Sequence, residues 1–133
     1  MGQPIDDLRE VQPALIRLHR ALLDAERRQL EGVHGRLSGP EFLQLISDPV
    51  RYGWLKPFSH LILAVDDVLE PKEDAQPPEP EEVLADARAL LAPPQDESPF
   101  GRRYIALMQR DPALVMAHAP VVTLLGTTAA RAE

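Results

Sequence analysis

The 133-residue sequence contains no cysteine. That absence excludes disulfide bridges, thiolate-bound zinc, iron–sulfur clusters and thiol nucleophiles. Aromatic residues make up only 5% of the chain, so a core has to come from Leu, Val, Ile and Ala. Also missing are the phosphate-cradling G-x-G-x-x-G and P-loop patterns, the G-x-S-x-G nucleophile turn and the H-E-x-x-H zinc motif. The four serines, Ser38, Ser47, Ser59 and Ser98, stand at caps, loops or helix surfaces, none with a base beside it in sequence. No stretch alternates β-branched and polar residues over a strand length, so no strand is expected. The opening MGQPIDDLRE lacks the basic and then apolar regions of a secretory signal, and the expected address is cytoplasmic.

What is present describes an ordinary globular domain. Apolar residues at 44% and charged residues at 26% are typical of soluble proteins. A chain of this length buries roughly two thirds of its unfolded surface, enough for one core, and residues 1–133 are read as a single domain. The net charge of −7 is unevenly placed: residues 61–99 hold eleven acids against two bases. Phosphate binding needs clustered Lys and Arg, so nucleic acid is not an expected partner.

Proline organises the reading. Fourteen are present, most where a helix would begin. SGPE at 38–41 matches a capping box, and Asp48-Pro49 and Asp111-Pro112 each read as a cap followed by a first-turn proline. Helices are predicted over residues 4–31, 40–47, 49–69, 81–92 and 100–110, with a further helical stretch after Pro112. Pro13, Pro57 and Pro120 are expected to kink their helices. In the first helix Leu8, Val11, Leu15, Leu18, Leu22 and Ala25 recur at alternating steps of three and four, an apolar seam widened by Ile16, Leu23 and Leu30. Residues 71–80, PKEDAQPPEP, form an acidic, Pro-rich loop, and 127–133 a mobile tail. The expected architecture is all-α, a four-helix-bundle-like single domain with short accessory helices.

Two features bear on function. His19 and Glu26 stand two turns apart within the apolar seam of the first helix, and a carboxylate there is paired, metal-bound, protonated or exposed at the end of the bundle. With Asp66 or His118 from facing helices they are candidate ligands for a divalent metal or a haem in the bundle core. The Glu-x-x-His spacing of ferritin-like sites is absent, and a structural polar pair is the competing reading. His60 and Asp67 point away from the apolar side of the 49–69 helix and Asp66 to its edge, so the Asp66–Asp67 pair is not a dicarboxylate site.

The second feature is the C-terminal stretch. From Pro112 to Ala130 no residue carries a formal charge. That length meets the minimum for a membrane span, but two prolines, a histidine and three threonines interrupt it, and insertion is not expected. Val115, Val121, Val122 and Leu125 are instead candidates for a surface that meets a second subunit.

The blocks LHRALLDAERRQLEGVHG, FLQLISDP, WLKPFSHLILAVDDVL, FGRRYIALMQRDP and VMAHA, in that order, resemble a family of small all-helical bacterial proteins without assigned activity. The resemblance implies a bacterial cytosolic helical domain and supplies no reaction, cofactor or catalytic residue. The expected function is a non-enzymatic interaction module, self-associating as a homodimer and without a cofactor. A metal- or haem-binding bundle is one alternative, and a small enzyme with a pocket of dispersed residues is the other.

Overall fold

The computed structural model describes residues 3–94 and 97–132. Met1, Gly2, Glu133 at the end of the expected tail, and positions 95 and 96 of the loop after residue 92 lie outside the described residues. The chain is all-α, with no strand among the described residues. Its helices are α1 (Pro4–His34), α2 (Gly39–Ile46), α3 (Pro49–Tyr52), α4 (Lys56–Leu69), α5 (Pro80–Leu91), α6 (Pro99–Met108) and α7 (Pro112–Ala132). A 3-10 turn, Gly53–Leu55, joins α3 to α4.

Each of these seven helices carries a proline in its first turn: Pro4, Pro40, Pro49, Pro57, Pro80, Pro99 and Pro112. Proline suits that place because its φ is already helical and its missing N–H would have no partner there. In four of them, α2, α3, α6 and α7, the residue in front supplies a side-chain cap. Ser38 and Glu41 close the capping box, with Glu41 N–H donating to Ser38 Oγ at 3.2 Å and Ser38 N–H to Glu41 Oε1 at 3.0 Å. Asp48 accepts from Val50 N–H at 3.0 Å, Ser98 from Gly101 N–H at 2.9 Å, and Asp111 from Leu114 N–H at 3.3 Å.

Three predicted details differ. First, α1 runs past Gly32 and stops at Gly35, whose φ of 81° lies in the left-handed region that favours glycine. Second, the expected 49–69 helix is divided. Pro57 has no N–H for the Gly53 carbonyl, and the backbone tightens there so that Lys56 N–H reaches Gly53 O instead. Third, residues 127–132 continue α7, with Thr128 buried and Arg131 bonded to Asp7 and Glu10 at 3.0 and 2.8 Å. Pro13 and Pro120 both sit on exposed sides of unbroken helices, where water can take the carbonyl each leaves unpaired.

Helix α1 is the centre of the packing and touches α4, α5, α6 and α7. Helix α4 also packs on α5, α5 on α7, and α6 on α7. The buried face of α1 is the predicted seam, Leu8, Val11, Leu15, Leu18, Leu22 and Ala25, with Ala14 and Leu30 beside it, whereas Ile16 is exposed. Residues 70–79 are exposed throughout and contain one turn, Ala75 N–H to Lys72 O at 3.0 Å, next to Asp74 at φ 64°.

Four of the six aromatic rings, with two imidazoles, form a row through the core. His19 of α1 meets Phe58 of α4 edge-on at 5.2 Å, and Phe58 meets Phe100 of α6 edge-on at 6.1 Å. Phe100 stacks on Tyr104 at 5.2 Å, and Tyr104 touches His118 of α7 at 5.4 Å. Trp54 joins from the side, 6.3 Å from Phe100. Edge-on and stacked pairs of this kind add about 1 kcal/mol each to the burial of their area.

Leu18 is fully buried at the middle of α1. Leu18→Ala is expected to lower unfolding stability by about 2–5 kcal/mol, because a face packed against several helices collapses poorly around a cavity. Urea denaturation of the variant beside the wild type checks this, and a loss below about 1 kcal/mol would contradict the assignment of α1 as the central helix.

Candidate functional site

Glu26 lies on the buried face of α1 with 3% of its surface exposed. Its partner is Arg103 of α6. Arg103 Nη2 donates to Oε2 at 2.8 Å and to Oε1 at 3.1 Å, and Nε donates to Oε2 at 3.2 Å. The planar guanidinium thus grips both carboxylate oxygens, the geometry in which an ion pair best offsets the loss of water. Tyr52 lies beside the pair. Burial raises its phenol pKa, and the nearby Glu26 carboxylate raises it further.

The other candidate ligands stand apart from Glu26. His19 is half-buried, with Nε2 3.4 Å from Ser59 Oγ and its ring against Phe58. His118 is half-buried at the far end of the aromatic row, with Nδ1 2.6 Å from the Tyr104 hydroxyl. Asp66 is exposed at the rim of a shallow groove between α1 and α4, whose other members include Gln12, Ile16 and Leu63. Among the described residues no three His, Asp or Glu side chains converge as a metal would require. Each candidate instead belongs to a separate local arrangement.

Two histidines and one phenol show what burial does. It lowers the pKa of both His19 and His118 from 6.5, favouring neutral imidazoles, and pushes the Tyr104 phenol well above its ordinary value. A phenol that keeps its proton can donate it to a neutral His118 Nδ1, in the tautomer that carries the ring proton on Nε2.

Sequence reasoning recognised that Glu26 needs a partner and did not find Arg103, because the two lie 77 positions apart. Other long-range side-chain contacts were also missed. Arg28 Nη2 is 2.7 Å from Asp111 Oδ2, tying the cap of α7 to α1. Arg88 of α5 donates through Nε to Leu125 O at 3.3 Å and through Nη2 to Thr128 Oγ1 at 2.9 Å.

The four C-terminal interaction candidates divide by helical position. Val121 and Leu125 are fully buried in the chain's own core, with Leu114 and Thr128 on the same side of α7. They face inward, away from any partner. Val122 is partly buried at the side of α7, and Val115 is 44% exposed. Met116, 75% exposed, heads the outward side, followed by Ala119, Pro120, Thr123, Thr127 and Ala130. By length and composition Pro112–Arg131 is apolar enough to cross a membrane, and in this fold its inner side covers α1 and α5.

Comparisons of the chain with protein-family models, with curated proteins and with solved structures returned no match.

Removing the half-exposed partner of this ion pair leaves the buried Glu26 carboxylate with Tyr52 alone. Arg103→Met is expected to cost about 2 kcal/mol, and Glu26→Leu combined with Arg103→Met to recover most of that loss. Urea midpoints of the single and double variants check the coupling; equal losses in both would contradict it. Stability is also expected to fall on mild acidification. The folded state holds His19 and His118 neutral, so between 6.5 and their lower folded values the unfolded chain binds more protons. Their contribution is complete above that window and is lost as pH falls through it. Comparing urea midpoints at about pH 7.5 and about pH 5.5 should show a drop that His19→Gln with His118→Gln flattens.

Proposed function

We propose that this chain is a non-enzymatic helical interaction module of the cytoplasm that self-associates as a homodimer through the outward side of α7. In architecture it is four-helix-bundle-like: α1, α4, α5 and α7 take the corners, each packed on the next around the ring, with α2, α3 and α6 as accessory helices. The observation that carries the reading is the bare side of α7. Over nineteen residues of a strongly acidic protein it has no formal charge, while Val115 and Met116 stand open to solvent.

Charge explains why a second copy suits that surface. Two chains of net charge −7 repel one another, and the repulsion is weakest where both contribute uncharged surface. Ala119, Thr123 and Ala130 are small enough to let two helix backbones approach closely, and Met116 supplies an adaptable apolar contact. The buried carboxylates and His118, by contrast, are committed elsewhere. Glu26 is held by Arg103, Asp111 by Arg28, Asp7 by Arg131 and His118 by Tyr104. These pairs support a structural rather than a catalytic role.

Light scattering at rising concentration tests the proposal. The wild type is expected at twice the 14.8 kDa chain mass. Met116→Glu places a charge on the exposed side without touching the core, and it should give a monomer of unchanged thermal stability. A wild type that stays monomeric at the highest concentration reached overturns the proposal.

A further inference from the structure

The charges of α4 run against the dipole of their own helix. A helix N-terminus favours acids near it, and a C-terminus favours bases. Helix α4 has no acid in its first turn and no base in its last. It opens instead on the exposed Lys56 and finishes with Asp66, Asp67 and the exposed cap residue Glu70. Among the described residues no ion pair engages Lys56 or Glu70.

Those two residues are placed symmetrically. Lys56 and Glu70 stand seven residues, or two helical turns, to either side of Leu63, near one line along the outward side of α4. Leu63 is 60% exposed, and across the groove from it Ile16 of α1 is 46% exposed. The groove holds about 190 Å³ and is lined also by Leu15, Ile62 and Val65. That is smaller than the pockets that accept organic molecules, and it suits single aliphatic side chains.

We infer that this face of α4 meets α4 of a second copy, antiparallel about a two-fold axis at Leu63. A sequence of base, leucine and acid is complementary to its own reversal. The antiparallel arrangement sets each Lys56 opposite the other copy's Glu70 and brings the two Leu63 side chains to the paired grooves. It also gives each helix end the charge that its own turn lacks. A two-fold contact makes each pair twice. One helix wide, it is narrower than a stable dimer interface and forms transiently, beside the α7 dimer. It rests on α4 and does not depend on association through the outward side of α7.

Because the chain has no cysteine, a single introduced thiol reports the contact. Full-length Leu63→Cys is treated with oxidised glutathione, and the two-chain disulfide product is followed on a denaturing gel. Val50→Cys, at a position of α3 that is also open to solvent, is the comparison. Leu63→Cys is expected to link at least about tenfold faster, the effect of two exposed ion pairs made together. Adding either Lys56→Glu or Glu70→Lys should remove that advantage, since each turns two attractive pairs into two repulsive ones. An equal mixture of these two charge variants should regain it, because their charges oppose again. Leu63→Cys linking no faster than Val50→Cys would overturn the inference, as would no recovery in the mixture. Faster linking after Glu70→Lys would also overturn it, by showing that net charge alone governs encounter. Met116→Glu, added to Leu63→Cys, should leave the linking intact, and its loss would assign the contact to α7. Light scattering of the wild type reads the α7 dimer separately.

Discussion

The fold depends on the accommodation of one carboxylate. Glu26 occupies a position on α1 that the surrounding leucines would otherwise make dry and apolar, and charge in such a place is stable only with a partner of matching geometry. Arg103 meets that requirement from α6 with three donor contacts. The pair therefore does more than neutralise a charge. It helps fix the rotation of α6 about its own axis, because Arg103 stands beside the face of the same helix that presents Phe100 and Tyr104 to the core. Once α6 is set, the aromatic row follows, and with it the place of α7 against Tyr104.

That row makes economical use of scarce material. With aromatics at 5%, six rings counting the two imidazoles connect α1, α4, α6 and α7. Both ends finish in a histidine whose polar edge meets a hydroxyl, Ser59 at one end and Tyr104 at the other. A histidine suits such a terminus because it stacks like an aromatic ring yet satisfies a hydrogen bond at the boundary of the core. The same property makes the row sensitive to protonation, since a charged imidazole loses its acceptor nitrogen and gains a hydration cost.

The parts of the fold legible in the sequence are those set by neighbours along the chain. The SGPE box, the two Asp-Pro caps and the three-and-four spacing of Leu8 to Ala25 all act within one or two helical turns, and the structure uses each one. What the sequence leaves open is which helix meets which. It marks Glu26 as needing a partner but cannot select Arg103 from several arginines, because that choice is made by tertiary packing. The C-terminal helix shows a second limit. With no charged residue from Pro112 to Ala130 there is no polar side to mark its orientation, so Val121 and Leu125 read like Val115 although they are buried and it is not. The division at Gly53–Leu55 shows a third: a proline signals a lost hydrogen bond, but whether the chain bends or tightens depends on the packing around Tyr52 and Leu55.

The first-turn prolines bear on how two copies of this protein can combine. A proline disfavours helical conformation in the residue before it, so a helix that starts on one resists fusing with the helix upstream. Exchange of elements between protomers commonly proceeds by straightening a connection into one continuous rod. Here the short connections leading to α2, α3, α6 and α7 each end at such a barrier. Any association between copies of this chain is thereby steered toward the docking of intact, closed copies and away from domain swapping.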